Sequence, residues 1–373
     1  GMVAVMTQNI GAGRPGVAYQ ARQLGLAFNA VLGVIMSLFL SLGAGTILSG
    51  VGVADALMQP ARTYLQIVGG FCILNALIPI CSSYLRAFGF SKEPLYASII
   101  GNVINFCLNA FFLFVLHKGV AGVATATVIS RIINLVIVVL LGAVLVKAKQ
   151  HPERESNREV MGQIIRIGLP SACETAIYNV SMTLVIRFLN QMDAQGLNVT
   201  ARSYTMQITN FSYCVGAALA QANAIMTGWR IGAKEYDACD RGTRKAAIIG
   251  VIVAVILETM FALCSGWIMQ LFSKDPQMVS LVGKLLAIDI VLEMGRVTNL
   301  VYGQALKTSG DAVFPVVMGA CFMILCSVGG TYLFGIRLGL LAVGAYIGMT
   351  GDECVRAVGM YLRWKSGKWK EKG

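Results

Sequence analysis

Charge is what this chain has least of. Only 13% of its 373 residues are Asp, Glu, Lys or Arg, while 56% are hydrophobic, against roughly 25% charged residues in an ordinary soluble domain. A water-soluble globular fold is thereby excluded. Histidine is nearly absent: His117 and His151 both sit at the ends of apolar runs, which leaves no basis for a histidine metal site or for histidine acid–base chemistry. The ten cysteines stand singly at 72, 81, 107, 173, 214, 239, 264, 321, 326 and 354. No two have the spacing of a zinc or redox motif, so they read as small, buried apolar residues. Catalytic signatures are missing as well. There is no HExxH, no Gly-x-Ser-x-Gly elbow and no DxxxD or DDxxD magnesium motif, so no enzyme and no cofactor is expected.

What fills the chain is apolar sequence in runs long enough to cross a bilayer. Ten windows of about 20 residues qualify: Gly25 to Leu48, Tyr64 to Leu85, Leu95 to Leu116, Val120 to Val146, Ile167 to Leu189, Met206 to Thr227, Ala246 to Leu271, Val279 to Leu306, Val316 to Phe334 and Leu338 to Leu362. Residues 1 to 10 resemble the end of another. The runs are continuous and do not alternate with period two, which predicts helices and not a barrel. The net charge of +12 is confined to short connections, so its expected partner is membrane lipid and not nucleic acid. Arg14, Arg22, Arg86, Lys92, Lys147 to Arg166, Arg230 to Lys245, Lys307 and Arg363 to Lys372 fall on one side, and Lys118, Lys274 and Arg337 on the other. Basic residues favour the cytoplasmic face. A multi-pass protein of the plasma or inner membrane with a cytoplasmic C-terminus is therefore expected.

Two stretches repeat. LRAFGFSKEP (Leu85 to Pro94) and LKTSGDAVFP (Leu306 to Pro315) align with an offset of 221 positions, as do Ile10-Gly11-Ala12 and Ile231-Gly232-Ala233. The chain is a tandem duplication. Projecting the second copy's start near Met161 back by this offset reaches about 60 positions before Gly1. The expectation is of two six-helix bundles, the first lacking helix 1 and most of helix 2. Residues 1–146 form the first bundle, 147–166 a cytoplasmic linker, and 167–373 the second bundle with its basic tail.

Ionisable groups inside apolar spans are costly and mark function. In the run from Ile288 to Pro315, Asp289, Glu293 and Arg296 are spaced i, i+4 and i+7, which places all three on one helix face. Glu174 lies in the first turns after Pro170, with Tyr178 at i+4. It suits either an ion site or hydration near the interface. Gln207 and Asn210 add neutral polar groups one helix later. Glu258 has Ser37 as its repeat partner, so its charge lies outside the duplicated framework and calls for a partner or water. The last span carries Asp352, Glu353 and Arg356, with Asp352 and Arg356 at ion-pair spacing. Asn102, Asn105 and Asn109 form a stripe explained by interhelical hydrogen bonds or by cavity lining. Trp364 and Trp369, among lysines, suit headgroup depth.

GLPSACE, AQANAIMTGWRIGAKEYDA, EMGRVTNLVYGQALKTSGDAVFP and DECVRAVGMYLRWKSGKW together resemble the bacterial branch of the multidrug and toxic compound extrusion (MATE) family over nearly the whole chain. The resemblance implies twelve helices in two six-helix bundles. It also implies export of amphipathic, often cationic compounds in exchange for protons or sodium ions, by alternating access around a midplane cleft. The family carries cation-site carboxylates on helices 1, 7 and 10. The last two map to Glu174 and Asp289, with Glu293 the rival in helix 10. Tyr178, Asn179, Gln207, Asn210, Arg296 and Asn299 are the candidates to line the substrate cleft. A monomer with no cofactor beyond its coupling ion is expected. A lipid-linked oligosaccharide flippase of the same broad superfamily is the alternative, although the acidic midplane speaks against a pyrophosphate ligand.

Overall fold

In the computed structural model of the protein, residues 1–51, 55–146, 153–193 and 196–371 are described. Among them there is no strand. The chain divides into two compact units, Met2–Gly162 and Gln163–Gly373, the latter joined by Gly1.

The N-terminal unit is built from α1 (Met2–Gly11), α2 (Pro15–Leu42), α3 (Ala44–Val51), α4 (Asp55–Tyr64), α5 (Ile73–Ala87), α6 (Lys92–Ala110) and α7 (Gly119–Leu145). Pro15 opens α2 at its first turn, where a missing N–H costs nothing. A π-helical segment, Leu65–Gly69, follows α4, and another, Phe111–Val115, follows α6. Asn105 donates to Ser130 Oγ of α7 at 3.2 Å and Asn109 to Asn105 at 3.0 Å, so the asparagine stripe ties α6 to α7.

The C-terminal unit takes most of α8 (Asn157–Met192), then α9 (Leu197–Gly232), α10 (Tyr236–Leu263), α11 (Ser265–Met269), α12 (Pro276–Thr308), α13 (Val313–Phe322) and α14 (Leu341–Lys365). Two π-helical segments, Met323–Val328 and Thr331–Arg337, continue α13. Before α9, Asp193 accepts from Leu197 N at 2.9 Å, from Asn198 N at 3.0 Å and from the Asn198 side chain. Partial desolvation would push this carboxyl up, but the hydrogen bonds from Asn198, Leu197 and Gly196 outweigh it and hold the group below its ordinary value.

Each of the ten apolar windows falls on helix. Five helical stretches are long and apolar enough to cross a membrane by themselves: Pro15–Leu42, Lys92–Val115, Gly119–Leu145, Tyr236–Leu263 and Val313–Arg337. The pair Asp55–Gly69 and Ile73–Ala87, bent by 41°, makes a sixth. The long helices α8, α9, α12 and α14 stay outside that group because they carry the charged and amide side chains. Exposed apolar residues such as Phe39, Phe106, Phe114, Val144, Ile249 and Ile256 suit contact with lipid.

Three expectations change. The linker expected over 147–166 is helical from Asn157; 147–152 lies outside the described residues. Gln20 pins the entry to α8, donating to Glu155 O at 2.8 Å and Asn157 Oδ1 at 2.6 Å, while Arg14 pairs with Glu155. The cysteines are all free, but only Cys81 and Cys239 are buried. Cys107, Cys173, Cys214, Cys264 and Cys321 are exposed, as an apolar thiol facing hydrocarbon can be. Trp364 and Trp369 do not project to headgroups. The short 3₁₀ turn Lys368–Glu371 folds back and stacks the two rings 4.1 Å apart, 8° from parallel, both buried. Each indole N–H finds an acceptor, Asp240 Oδ1 at 2.8 Å and Trp364 O at 2.9 Å, which makes burial favourable.

The core of the C-terminal unit is in two clusters. Leu285, Leu286 and Leu292 pack with Met269, Val282 and Tyr346. Val297, Val301, Tyr302 and Leu306 pack with Met360 and the two tryptophans. Both clusters draw on α12, and the polar residues lie between them.

Candidate functional site

Helix α12 places Asp289, Glu293 and Arg296 on one face, as their spacing requires. Arg296 Nη1 donates to Glu293 Oε2 at 2.7 Å. On its other side Arg296 Nε stands 3.6 Å from Glu353 Oε1 on α14. The two helices approach closely because residue 295 is glycine: a Cβ there would lie 2.9 Å from Cys354 N. Glu353 takes a further hydrogen bond from Asn299 Nδ2 at 3.0 Å and pairs with Arg356 Nη2 at 2.9 Å. Arg356 also holds Asp352, at 2.8 and 3.0 Å, and Asp352 accepts from Ser327 Oγ of the π segment at 2.9 Å. A continuous ladder results, running Glu293, Arg296, Glu353, Arg356, Asp352, Ser327 across α12, α14 and the extension of α13. The Asp352–Arg356 pair matches its sequence spacing. The link from Arg296 to Glu353 joins residues on different helices, and no local pattern announces it.

Beside the ladder stand carboxylates without compensation. Glu258 of α10 is fully buried and neither of its oxygens has a hydrogen-bond partner. Its neighbours are the charges of Asp289, Glu293 and Arg296 and the hydroxyl of Ser212, the one donor side chain beside it among these. Asp289 Oδ2 and Glu293 Oε1 are also buried and unpartnered. Counting the ladder, five carboxylates (Glu258, Asp289, Glu293, Asp352, Glu353) share two guanidiniums (Arg296, Arg356) inside an apolar unit. Leaving the excess ionised and unpaired would cost several kcal/mol per group, so the arrangement favours uptake of protons or a cation.

Two cavities adjoin these residues. One, of about 360 Å³, is lined by Tyr178, Asn179, Asn299, Glu353, Arg356 and Lys307 among others. The other, of about 220 Å³, is lined by Asp289, Arg202, Asn210, Met206 and Tyr346 among others. Tyr178, Tyr213 and Arg296 line both, and Arg296 lies 5.9 Å from the Tyr213 ring centroid, a cation–π distance.

Among the candidates, Glu174, Tyr178, Asn179, Arg296 and Asn299 line the first cavity, and Tyr178, Asn210, Asp289 and Arg296 the second. Gln207 is exposed and lines neither. Glu174 is not gathered with Asp289: its Oε2 pairs with Lys307 Nζ at 2.5 Å, and Lys307 lies about 21 Å further along α12 than Glu293 at the helical rise. Asp289 and Glu293 are neighbours on α12, while Glu174 faces the first cavity, where Arg356 is within its electrostatic reach. Among the described residues no three His, Cys, Asp or Glu side chains converge as a metal-binding group. Sequence reasoning left Glu258 unplaced, gave Glu353 no partner, and passed over Tyr213 and Arg202. Glu258 and Glu353 were detectable as charges in apolar runs, whereas Arg202 stands close enough to a helix start to pass for an interfacial residue.

A polytopic α-helical protein with buried ion pairs between its helices and cavities beside them has the makings of a membrane transporter. A family model described as MatE matches residues 1–111 and 170–333, and the chain belongs to this family of membrane transporters. It is 32% identical over 379 residues to the uncharacterized transporter YisQ of Bacillus subtilis, spanning all of this chain and 83% of that protein. With the probable multidrug resistance protein NorM of Thermotoga maritima it shares 23% identity over 363 residues, 90% of this chain and 76% of that one. Among solved structures, the MATE transporter in its straight conformation superposes with a TM-score of 0.88 at 18% identity, covering 99% of this chain and 83% of the other. An outward-facing MATE family transporter of the MOP superfamily gives 0.89 at 17% identity with the same coverage. At such identities the superpositions define the fold, that of MATE transporters.

Proposed function

We propose that this protein is a secondary antiporter that exports amphipathic small molecules in exchange for protons, with sodium as the rival ion. The observation that carries the reading is the surplus of enclosed carboxylates over guanidiniums around Asp289, Glu293 and Glu258. A proton neutralises such a group most cheaply, because Glu258 has an apolar enclosure, no ion-pair partner, and only the Ser212 hydroxyl beside it as a donor. Proton occupancy would weaken the hold of Asp289 and Glu293 on Arg296 and so bias the unit between two arrangements of the ladder. Glu174, bound to Lys307, would act as a second, cytoplasmic ion pair and not as a member of the same ion site. Relatives named as multidrug resistance proteins support drug-like cargo. The basic connections favour a cytoplasmic C-terminus in the plasma or inner membrane, and transport needs no second copy of the chain.

The test is ethidium efflux from proteoliposomes under an imposed proton or sodium gradient, comparing the wild type with Asp289→Asn, Glu293→Gln and Glu174→Gln. Efflux driven by the proton gradient, lost in the first two variants and retained in the third, supports the assignment. Efflux unchanged in Asp289→Asn and Glu293→Gln would place coupling elsewhere.

A further inference from the structure

Arg202 is an arginine out of place. It lies on α9, five residues after the helix starts at Leu197, or about 7.5 Å along the axis. At that depth a long side chain commonly snorkels to water. Arg202 does not: it is 7% exposed, its Nε is buried with no hydrogen-bond partner, and its Nη2 meets only the thioether of Met182 at 3.7 Å. No described carboxylate pairs with it, although buried Arg356 and half-buried Arg296 each hold two. A guanidinium cannot shed its proton to escape the cost of burial. An arginine kept charged, enclosed and unpaired is instead matched by an anion that arrives from outside the chain.

The surroundings say what kind of anion. Arg202 lines the cavity of about 220 Å³ whose other walls include Asp289, Asn210, Tyr178, Tyr213 and Met206. Aromatic and thioether groups make this an apolar slot, and the amide is a neutral donor. The cavity thus carries a free cationic group, Arg202, and a carboxylate with an unpartnered oxygen, Asp289. Arg296, already engaged with Glu293 and Glu353, borders both. A purely cationic ligand would use Asp289 and be repelled by Arg202. A purely anionic one would use Arg202 and be repelled by Asp289. A ligand bearing both charges satisfies both.

We infer that this cavity is a recognition site for amphipathic zwitterions, with Arg202 holding the ligand's carboxylate while its cationic end faces Asp289. The inference rests on the transport reading and narrows its substrate class. Competition between the ligand's cationic end and a proton at Asp289 is also what exchange requires, since the two then exclude one another. Arg202 contributes no part of that competition. It contributes selectivity, because a guanidinium–carboxylate pair in an enclosed site discriminates strongly against a ligand that leaves the guanidinium unpaired.

Two dyes isolate the contact: rhodamine 110 has a cationic ring system and a free carboxylate, and rhodamine 123 is its methyl ester. Fluorescence polarisation with the purified full chain in detergent should give rhodamine 110 the lower Kd by about tenfold or more, the scale of one charged hydrogen-bonded pair. In Arg202→Gln the ratio should fall to about one, mainly by loss of rhodamine 110 affinity, and Arg202→Lys should restore part of it. Thermal stability of Arg202→Gln should be unchanged or raised, because an uncompensated buried charge is removed. A structural role would lower it. Equal wild-type affinities, a ratio that survives Arg202→Gln, or no saturable binding of either dye would each overturn the inference. The gradient-driven ethidium assay reports separately on the transport reading, so either can fail without the other.

Discussion

Gly89 and Gly310 stand 221 positions apart and share one backbone conformation, with φ at +89° in each. The likeness extends around them. Phe90 N donates to Leu85 O at 3.0 Å and Asp311 N to Leu306 O at 2.9 Å, while Arg14 N to Asn9 O and Glu235 N to Arg230 O measure 2.8 and 2.7 Å. Gly13 and Lys234 likewise both take positive φ, at +74° and +60°. Helices α2 and α10 are each 28 residues long and begin and end in register. The duplication is therefore preserved as dihedral angles even where side chains have diverged. Gly89→Ala and Gly310→Ala should each destabilise the protein by about 1 to 2 kcal/mol, because an L side chain at this φ is strained. Both should lower the melting temperature in detergent, and asparagine at either position should cost less than alanine. Unchanged melting of both alanine variants would contradict the argument.

Glu258→Gln removes a buried carboxyl that forms no ion pair and keeps a side chain able to accept from Ser212, so thermal stability should stay level or rise. Proton-driven efflux should nevertheless fall by about tenfold or more if Glu258 shares protons with Asp289 and Glu293, a loss near 1.4 kcal/mol or greater. Efflux rates in vesicles against external pH decide this. A wild-type pH profile in the variant would confine the coupling role to α12.

Trp369→Ala takes away the ring stacked on Trp364 and the N–H donated to Trp364 O. Buried tryptophan truncations cost about 3 to 5 kcal/mol, so a large drop in melting temperature is expected. Removal of the tail by protease should be equally damaging. A melting curve equal to wild type would mean that the turn at 368–371 contributes nothing to holding α14.

Asp193 gives the stability a pH dependence at the acid end. Its folded carboxyl titrates below its unfolded value of about 3.9, so its contribution is complete above that value and is lost as pH falls through the lower, folded one. The advantage of wild type over Asp193→Ala in thermal melts should hold from about pH 7 to about pH 5 and shrink towards about pH 3. An advantage that grows on acidification would reverse the sign and refute the hydrogen-bond explanation.

Much of the architecture was legible because a bilayer imposes one dominant constraint, continuous apolar length. The face shared by Asp289, Glu293 and Arg296 was legible for a similar reason, since helical spacing alone puts them together. Contacts across helices were not. Arg296 meets Glu353 because glycine at 295 lets two helices close up, and nothing local to either residue encodes that. Glu174 is a further case: its span and depth suggest an ion site, but its pairing with Lys307 comes from another helix and no local pattern announces it. Trp364 and Trp369 were misplaced because an aromatic and basic ending suits both a headgroup collar and a tail that folds back, and only packing against Asp240 and Tyr236 separates the two.

The π-helical segments after α13 preserve the trace of an insertion. Up to α13 the two halves keep their offset of 221, but beyond it His117 and Gly119 answer to Gly339 and Leu341, all four at positive φ and one position further along. A single added residue in an α-helix would rotate everything after it by about 100° and turn the buried face of the following segment outward. A wide turn swallows that residue instead. The second half has one such turn more than the first in this stretch, Met323–Val328, and Ser327 within it is the residue that reaches Asp352. The copy thus departed from its template by one residue without losing phase, and the local widening that kept the phase brought a hydroxyl to the end of the ionic ladder.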